Sequence, residues 1–389
     1  MNSAPFEIQP VRGLSGFAEF SRAQRLIYAG MEGFSPSLDL ERWTLYGHAL
    51  NPHYKLVDSA RWLARRGGKT IGRIEAHAYK TFKPVDASPF QFGSLDAIDD
   101  PAVVAALLQT AETWLNAKGA ETVVGPFSPS INGEMGLLVE GVAATPMIFM
   151  PWHPGYLSRH VEAAGYAKAK DVISYRYDIT PKDRAADPSI ITRGEWKERL
   201  KFRPLRFEAL ASEVDLFTQL FNDAWSGNWG YVPMTREEFK SNADSFKFIM
   251  TPDWGFVVEL DGEPVSFGVV IPNLHELAAP YQGKLGVAGA LKLLPALKKH
   301  TYNSGRLALF GLKKTLHRST KAGVILLAMI EELRLRTRKI ALNQVEFGWV
   351  LEDNVGMRRP IEMAGGKIDK IHRIYQKRIA GAPAEDARA

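Results

Sequence analysis

The sequence predicts an α/β protein built from two tandem copies of one unit, each a mixed twisted sheet flanked by helices. The first observation is a repeat at a spacing of 200 residues, because residues 162–165 (EAAG) lie over residues 362–365 (EMAG). The second is that Tyr175 matches Tyr375 at the same spacing. The third is a pair of similar hairpin signals, RGGKTIG at residues 66–72 and LDGEPVS at residues 260–266. Similar residues that recur at one constant spacing indicate a structural unit that occurs twice in the chain.

The composition fits a globular protein with two domains. The chain has 389 residues, of which 46% are hydrophobic and 24% are charged. No apolar run reaches the roughly 18 residues of a membrane-spanning helix, and the first residues, MNSAPFEIQPVRGL, do not resemble a secretory signal. The absence of cysteine excludes disulfides, a thiol nucleophile and cysteine metal sites. We expect a cytoplasmic location, with peripheral attachment to the inner face of the inner membrane as an alternative, and no metal.

The first copy is predicted over residues 1–180, with a β-α-β arrangement at its centre. Residues 61–80 form a predicted β-hairpin. Asp100 is placed to cap a helix that has Pro101 at its first position, and Gly119 ends that helix before a strand over residues 122–124.

The second copy is predicted over residues 205–380. Residues 181–204 lack apolar periodicity and carry proline and charge, which is typical of a linker. After the linker we predict a strand and a helix, a hairpin over residues 254–271, a strand over residues 306–311, a longer helix, a strand over residues 345–350 and a short helix that ends at Gly365. The last residues, 381–389, form a predicted disordered tail.

The end of the chain carries the pattern of a strand, Glu352-Asp353-Asn354, a short helix, A-G-G and a strand with R-x-Y. This pattern resembles the C-terminal half of a Gcn5-related (GNAT) acyltransferase domain. Residues 318–323 (RSTKAG) correspond to the coenzyme A signature of that family, Q/R-x-x-G-x-G/A, with lysine in place of the first glycine. The resemblance implies acyl-coenzyme A as co-substrate, because helix N-terminal amides receive its pyrophosphate. The residues implied are Arg318, Ser319, Thr320, Lys321 and Gly323.

The same resemblance implies that an amine attacks the acyl carbonyl directly. In the family, backbone N–H groups at a bulge in the strand before the pyrophosphate loop hold the oxyanion, which places Gly311 and Leu312 near the thioester. Asn354 would contact the coenzyme arm. Our candidates for the general base are His275 and Glu276, polar residues at the end of a hairpin strand, although a structural histidine and a surface glutamate are equally consistent interpretations.

Three aromatic residues lie close together in the segment FNDAWSGNWGYVPMT, namely Trp225, Trp229 and Tyr231. Grouped aromatics serve either core and loop packing or the wall of a site for a lipid chain. We predict substrate binding and keep packing as the alternative.

The net charge of +6 is concentrated in one part of the chain. Between Lys292 and Lys339 there are twelve lysines and arginines against two glutamates, a surplus of +10. Such a surplus suits a phosphate-bearing cofactor, an anionic membrane or nucleic acid. Within it, residues 285–300 predict an amphipathic basic helix, kinked or stopped at Pro295, that contacts an anionic membrane or covers a sheet edge.

The first copy is predicted to be degenerate in coenzyme A binding, because Asp99 and Asp100 would repel a pyrophosphate at the start of its helix. The tandem arrangement, the E-D-N and N-W-G-Y-V-P-M segments and the basic amphipathic insertion resemble the bacterial ceramide synthases, GNAT-related proteins that acylate a sphingoid amine. That resemblance implies a long-chain acyl donor and a lipid amine. Two alternatives are a Fem-type transferase that uses aminoacyl-tRNA and a non-catalytic nucleic-acid-binding regulator. Since no helix-turn-helix spacing or zinc ligands are visible, we expect no nucleic acid partner.

Overall fold

The computed structural model describes residues 5–180, 193–317 and 319–379. In these ranges the strands are β1 (Glu7–Pro10), β2 (Val57–Arg66), β3 (Lys69–Tyr79), β4 (Phe90–Ala97), β5 (Thr122–Gly125), β6 (Phe127–Ser128), β7 (Glu134–Met135), β8 (Leu137–Glu140), β9 (Ala167–Asp178), β10 (Leu200–Pro204), β11 (Gly255–Leu260), β12 (Glu263–Pro272), β13 (Ser304–Leu312), β14 (Gln344–Leu351) and β15 (Lys367–Arg378). The helices there are α1 (Gly13–Ile27), α2 (Asp39–Tyr46), α3 (Pro101–Asn116), α4 (Gly155–Ala163), α5 (Trp196–Arg199), α6 (Leu210–Trp225), α7 (Arg236–Phe246), α8 (His275–Ala278), α9 (Val287–Lys299), α10 (Thr320–Lys339) and α11 (Val355–Met363).

The chain packs into two compact units that differ from the predicted domain boundaries. Of the described residues, the first unit contains 5–172, 278–286 and 370–379, and the second contains 173–180, 193–277, 287–317 and 319–369. Strand β9 therefore starts in the first unit and ends in the second, while most of β15 belongs to the first unit. The predicted tail, residues 381–389, lies outside the described residues.

The sheet of the first unit follows the order β1-β2-β3-β4-β5-β15, with β8 also pairing with β15. The predicted hairpin is present as β2 and β3, which pair antiparallel. Helix α3 begins at Pro101 as predicted, and the Asp100 carboxylate accepts a hydrogen bond from the Ala102 N–H. This helix contributes a buried apolar face to the core beneath the sheet, formed by Val103, Val104, Leu107, Leu108, Ala111 and Leu115.

The sheet of the second unit follows the order β14-β13-β12-β11-β10, with the second half of β9 beside β14. The predicted linker ends earlier than residue 204, because Leu200–Pro204 form an edge strand that pairs antiparallel with β11. Residues 181–192 of that linker lie outside the described residues. Helix α10 packs on the sheet through its buried residues Ile325, Ala328, Met329 and Leu333.

The tyrosines of the 200-residue repeat make reciprocal contacts. In the first unit the Tyr375 hydroxyl donates to Glu162 at 3.0 Å. In the second unit the Tyr175 hydroxyl donates to Glu362 at 2.8 Å. Each matched tyrosine therefore binds the matched glutamate of the other copy, because the last strand of each copy ends in the unit that holds most of the other copy.

Candidate functional site

Strands β13 and β14 of the second unit separate partway along their length. Their parallel pairing runs from Ser304 beside Gln344 to Leu307 beside Phe347, whereas β13 continues along β12 to Leu312. At the point of separation the register of β12 and β13 shifts, so that Ala308 is an extra residue on β13. A bulge leaves backbone groups outside the sheet ladder. The second unit thus has an opening between two strands with a bulge at its edge.

This bulge is not where the sequence placed it. It lies at Ala308, whereas Gly311 is in regular register with Phe267, and the Gly311 carbonyl accepts from Ser266 Oγ at 2.5 Å. Gly311 is instead required by packing, because a Cβ there would lie 2.3 Å from the Trp225 indole. An oxyanion role for Gly311 and Leu312 stays a prediction that the observed bulge does not favour.

The loop between β13 and helix α10 is anchored to the end of helix α6. The Lys314 N–H donates to the Asp223 carboxylate at 2.6 Å, and Lys314 Nζ lies 3.4 Å from Ser226 Oγ. The side chains of Lys314, Thr315 and His317 are exposed. Arg318, which the sequence assigned to the pyrophosphate, lies outside the described residues.

Helix α10 begins without a side-chain cap. Ser319 occupies the N-cap position, but its hydroxyl donates to the Leu316 carbonyl at 2.8 Å and makes no cap hydrogen bond. The first turn contains no acidic residue and carries Lys321. By contrast, helix α7 of the same unit has a complete capping box between Thr235 and Glu238. The positive end of the α10 dipole is therefore not neutralised by a side-chain cap or by an acidic residue of the first turn.

The corresponding helix of the first unit is already occupied by a carboxylate. Asp100 caps α3 and pairs with Arg66 at 2.6 Å. The hydrogen bond from Arg66 lowers the pKa of Asp100, so this carboxylate is charged at neutral pH. Pro101 also removes one backbone donor from the first turn. This geometry is consistent with the predicted loss of coenzyme A binding in the first copy.

The two candidates for the general base lie at the start of helix α8. The Glu276 carboxylate accepts from the Asn303 N–H at 2.9 Å, the Ser304 N–H at 2.8 Å and Ser304 Oγ at 2.6 Å. His300 Nε2 is also 3.1 Å away. These contacts fix the beginning of β13, which favours the structural interpretation of Glu276. His275 is half-buried and its N–H donates to the Asn273 side chain at 3.2 Å. A catalytic role for either stays a prediction.

The aromatic candidates are held by packing and hydrogen bonds. Trp225 stacks on Phe221 with the ring centroids 4.7 Å apart. The Tyr231 hydroxyl donates to Asn222 Oδ1 at 3.0 Å, and burial raises the pKa of Tyr231. Trp229 is half-buried. These contacts show a packing role for Trp225 and Tyr231, and the role of the three aromatics in substrate binding stays a prediction.

Asn354 caps helix α11. Its Oδ1 accepts from the Met357 N–H at 3.2 Å. The Nδ2 group and the second lone pair of Oδ1 are left for the predicted contact with the coenzyme arm, which stays a prediction.

The basic residues between Lys292 and Lys339 do not form one exposed stripe. Arg306 and Arg336 are buried, and Arg336 pairs with Glu332 at 2.5 Å and with Asp253 at 3.2 Å. The surplus counted in the sequence is thus partly neutralised inside the second unit, which weakens the argument for tRNA or DNA as a partner.

Sequence reasoning missed a polar cavity in the first unit. Among its lining residues are Gln24, Tyr46, Arg73, Ser94, Asp96, Ser128, Glu134 and His153. The ion pair between Arg73 and Asp96 lines the cavity, and Glu134 of its wall pairs with Arg42 behind it, each pair at 2.7 Å. Charged residues inside otherwise apolar strands, as in IGRIEAHAY and QFGSLDA, are the signal that could have found it.

No helix in the described ranges is long and apolar enough to cross a bilayer. In the same part of the chain, no group of three histidines and carboxylates is placed to hold a metal ion.

Comparisons with known proteins show which of them are similar to this chain in sequence and in fold. No family model matches the chain. It is 34% identical to bacterial ceramide synthase of Caulobacter vibrioides over 379 residues, covering 97% of this chain and 98% of that protein. It is 33% identical to Protein YghO of Escherichia coli over 355 residues, covering 91% and 90%. Its fold matches a tandem GNAT protein from the clavulanic acid biosynthesis pathway, with a TM-score of 0.55, 12% identity and coverage of 98% and 100%. A GCN5-related N-acetyltransferase from Sphaerobacter thermophilus matches with a TM-score of 0.52, 14% identity and coverage of 96% of each chain.

Proposed function

Since this chain belongs to the family of tandem GNAT proteins that includes bacterial ceramide synthase, we propose that it transfers a long-chain acyl group from acyl-coenzyme A to the amine of a sphingoid base. The nitrogen attacks the thioester carbonyl, a tetrahedral oxyanion forms, and the carbon–sulfur bond breaks to give an amide and the coenzyme A thiolate. The amine loses one proton, and the thiolate can take up one. A thiolate with a pKa near 8 or 9 needs little help to leave.

The observation that carries the proposal is the uncapped start of helix α10 beside the opening between β13 and β14. Thr320 and Lys321 would offer backbone N–H groups, and Lys321 also its ammonium, to the pyrophosphate, whereas the Ser319 N–H already donates to the Leu316 carbonyl at 2.9 Å. A Cβ added at Gly323 would meet nothing within 4 Å, so the helix surface there is open to a close ligand. Coenzyme A is therefore proposed to bind the second unit.

The oxyanion would be held at the bulge of β13. Backbone N–H groups that are not used in a sheet ladder are suitable donors for a developing negative charge. We assign this role to the backbone around Ala308, at the point where β13 leaves β14. Gly311 and Leu312, four residues or fewer further along, are the alternative that the family resemblance implies.

Helix α9 is proposed to contact an anionic membrane that carries the lipid amine. It runs from Val287 to Lys299 with Pro295 inside it, so of the two predicted effects of this proline the stop does not occur, and the kink stays a prediction. Leu293 is its buried residue, whereas Leu291 and Leu294 are 69% and 65% exposed. Phe248 is exposed nearby, with Lys298 Nζ 5.9 Å from its ring centroid. Exposed apolar side chains beside lysines suit the interface of an anionic bilayer.

The test is a thiol-release assay with purified protein, a long-chain acyl-coenzyme A, and either sphinganine or a short soluble amine. We expect release that depends on sphinganine, together with an amide product of the matching mass. The Arg318→Ala and Lys321→Ala variants should weaken acyl-coenzyme A binding, whereas Lys240→Ala, which removes an exposed lysine from helix α7, should not. Equal release with the soluble amine would contradict the lipid substrate. No release with either amine would contradict the acyltransferase proposal.

A further inference from the structure

Arg306 of strand β13 lies at the base of the opening between β13 and β14. It is 3% exposed, and it stands beside Glu346 in the stretch where the two strands still pair. Its Nε donates to the Gly348 carbonyl at 3.1 Å, one residue past the end of that pairing at Phe347. We infer that Arg306 is a positioning residue that keeps the two strands apart, so that the backbone of β13 stays available to acyl-coenzyme A. The ligand rests on the proposed function, whereas the separation of the strands does not.

The Nε donor of Arg306 is directed at a backbone carbonyl rather than at a carboxylate. Glu346 Oε1 lies 3.7 Å from Arg306 Nε, which is beyond hydrogen-bond distance, while the Gly348 carbonyl lies at 3.1 Å. In a parallel pair of strands, the carbonyls of one strand accept from backbone N–H groups of the other. At Gly348 a side chain of β13 takes the place of its backbone, and the pairing of the two strands ends there.

Strand β14 is held from its other side at the same residue. A Cβ added at Gly348 would lie 2.8 Å from Ser174 Oγ of strand β9, so β9 packs closely against β14 at this point. On the opposite side, Ala308 forms the bulge of β13, and a bulge bends the strand that carries it. The side chain of Arg306 therefore spans the gap between a strand that is held by β9 and a strand that bends at its bulge.

The backbone of β13 past its bulge points donors into the opening. The Lys313 N–H donates to the Val265 carbonyl of β12 at 2.8 Å. Since successive residues of a strand direct their backbone groups to opposite neighbours, the N–H groups of Phe310 and Leu312 face away from β12. The Leu312 carbonyl agrees with this direction, because His317 Nε2 lies 2.7 Å from it. These N–H groups would meet β14 if the strands closed, and they can meet a ligand while the strands stay apart.

Stability alone does not account for a buried arginine at this position. Burying a guanidinium is costly unless it is matched, and replacing a buried ion pair by apolar side chains is often neutral or stabilising. The first unit shows an apolar solution, because the buried Phe92 stands two residues before Ser94, where the bulge of strand β4 begins. The Ser94 N–H donates to Ser128 Oγ of the same unit at 3.0 Å. The first-unit bulge is thus closed by its own chain, whereas Arg306 keeps the second open.

The experiment uses the full chain with Arg306→Met and Glu346→Gln together, so that neither charge of the pair is left buried without the other. The matched control is the double variant Arg336→Met with Glu332→Gln. Arg336 is also buried, pairs with Glu332 at 2.5 Å and donates to the Gly255 carbonyl at 3.0 Å, but these partners lie outside β13 and β14. Melting temperatures establish that both double variants are folded.

The first measurement is amide hydrogen exchange over residues 308–312 in the ligand-free protein. Closure of the strands would pair the Phe310 N–H, so exchange there should be about tenfold or more slower in the Arg306 double variant than in the wild type. Loss of stability alone acts in the opposite direction, because it speeds exchange. The control variant should show no slowing. Exchange at or above the wild-type rate in the folded Arg306 double variant would overturn the inference.

The second measurement is KM and kcat with a long-chain acyl-coenzyme A. When only a fraction of the molecules is open, the apparent affinity is reduced by that fraction. The KM for acyl-coenzyme A should therefore rise by the same factor by which exchange slows, about tenfold or more, with little change in kcat at saturation. Arg306→Lys, which keeps a cationic donor, should give a smaller change in both quantities.

The outcomes separate this inference from the proposed function. If exchange slows in the Arg306 double variant but the KM for acyl-coenzyme A stays at the wild-type value, the opening does not serve acyl-coenzyme A and the inference is overturned. If the wild type neither binds nor uses acyl-coenzyme A, the proposed function fails. Slower exchange in the Arg306 double variant would in that case still support the role of Arg306 in keeping the strands apart.

Discussion

The substitution Ser319→Asp would give helix α10 a carboxylate at its N-cap position, as helix α3 of the first unit has in Asp100. The Asp100 carboxylate occupies the equivalent position at α3. Aspartate and serine are comparable N-cap residues, so the free energy of unfolding should change by less than about 1 kcal/mol. The substitution therefore separates coenzyme binding from folding.

The size of the effect follows from the charge that is added. A carboxylate about 4 Å from a phosphate charge costs about 1 kcal/mol in water and about 4 kcal/mol at an effective dielectric constant near 20. Because Ser319 is half-buried and Thr320 is exposed, we expect the lower half of this range. At about 1.4 kcal/mol for each factor of ten, acyl-coenzyme A should bind roughly 5- to 60-fold more weakly.

The measurement is calorimetric titration of acyl-coenzyme A at low and high salt, with urea unfolding of the same preparations. The loss of affinity should be smaller at high salt, because exposed charges are screened. Thr235→Asp is the matched control, since it places the same charge at the capped start of α7 in the same unit. A folded Ser319→Asp variant that binds within twofold of the wild type would refute the placement of the pyrophosphate.

Three further predictions test packing, titration and the membrane surface. Gly311→Ala should destabilise the protein by about 1–3 kcal/mol in urea unfolding, because its Cβ would meet the Trp225 indole, whereas Gly323→Ala should not. A similar loss of stability in both variants would contradict the argument that Gly311 is required by packing. Burial lowers the pKa of His53 to about 3 in the folded protein. Below about pH 6.5 the unfolded chain therefore binds a proton at this histidine that the folded protein does not bind. The free energy of unfolding should fall by about 2 kcal/mol between pH 7 and pH 5 for this reason. His53→Gln should remove that part of the pH dependence, and an unchanged slope would contradict it. Leu291→Ser should reduce sedimentation with anionic vesicles by a few-fold and leave acyl-coenzyme A affinity unchanged; unchanged vesicle binding would exclude α9 as the contact.

The sequence alone determined the features that depend on neighbouring residues. Asp100 and Pro101 mark the start of α3 because a cap and a fixed φ act within one turn. The two hairpins follow from turn residues between apolar runs. The 200-residue repeat revealed two copies of one unit, and the GNAT-like ending identified the family and the helix proposed to bind coenzyme A.

Tertiary structure decided which distant residues meet. The repeat showed that Tyr175 and Tyr375 are equivalent, but not that each hydroxyl binds the glutamate of the other copy. Likewise, the partners Glu276 and Ser304 are held together only once β13 forms beside β12. No local periodicity encodes such pairings, because they depend on how strands separated by many residues come into register.

The same reason explains why the cavity of the first unit was missed. Arg42 and Glu134 are 92 positions apart in the chain. From its local sequence, each of them would be predicted to be an ordinary charged residue on the surface. Folding buries both, so that their charges are matched to each other rather than to water. Conversely, Arg306 and Arg336 counted towards a basic surface in the sequence but are buried in the structure. The sequence determined which charges are present, and the fold decided which of them a ligand can meet.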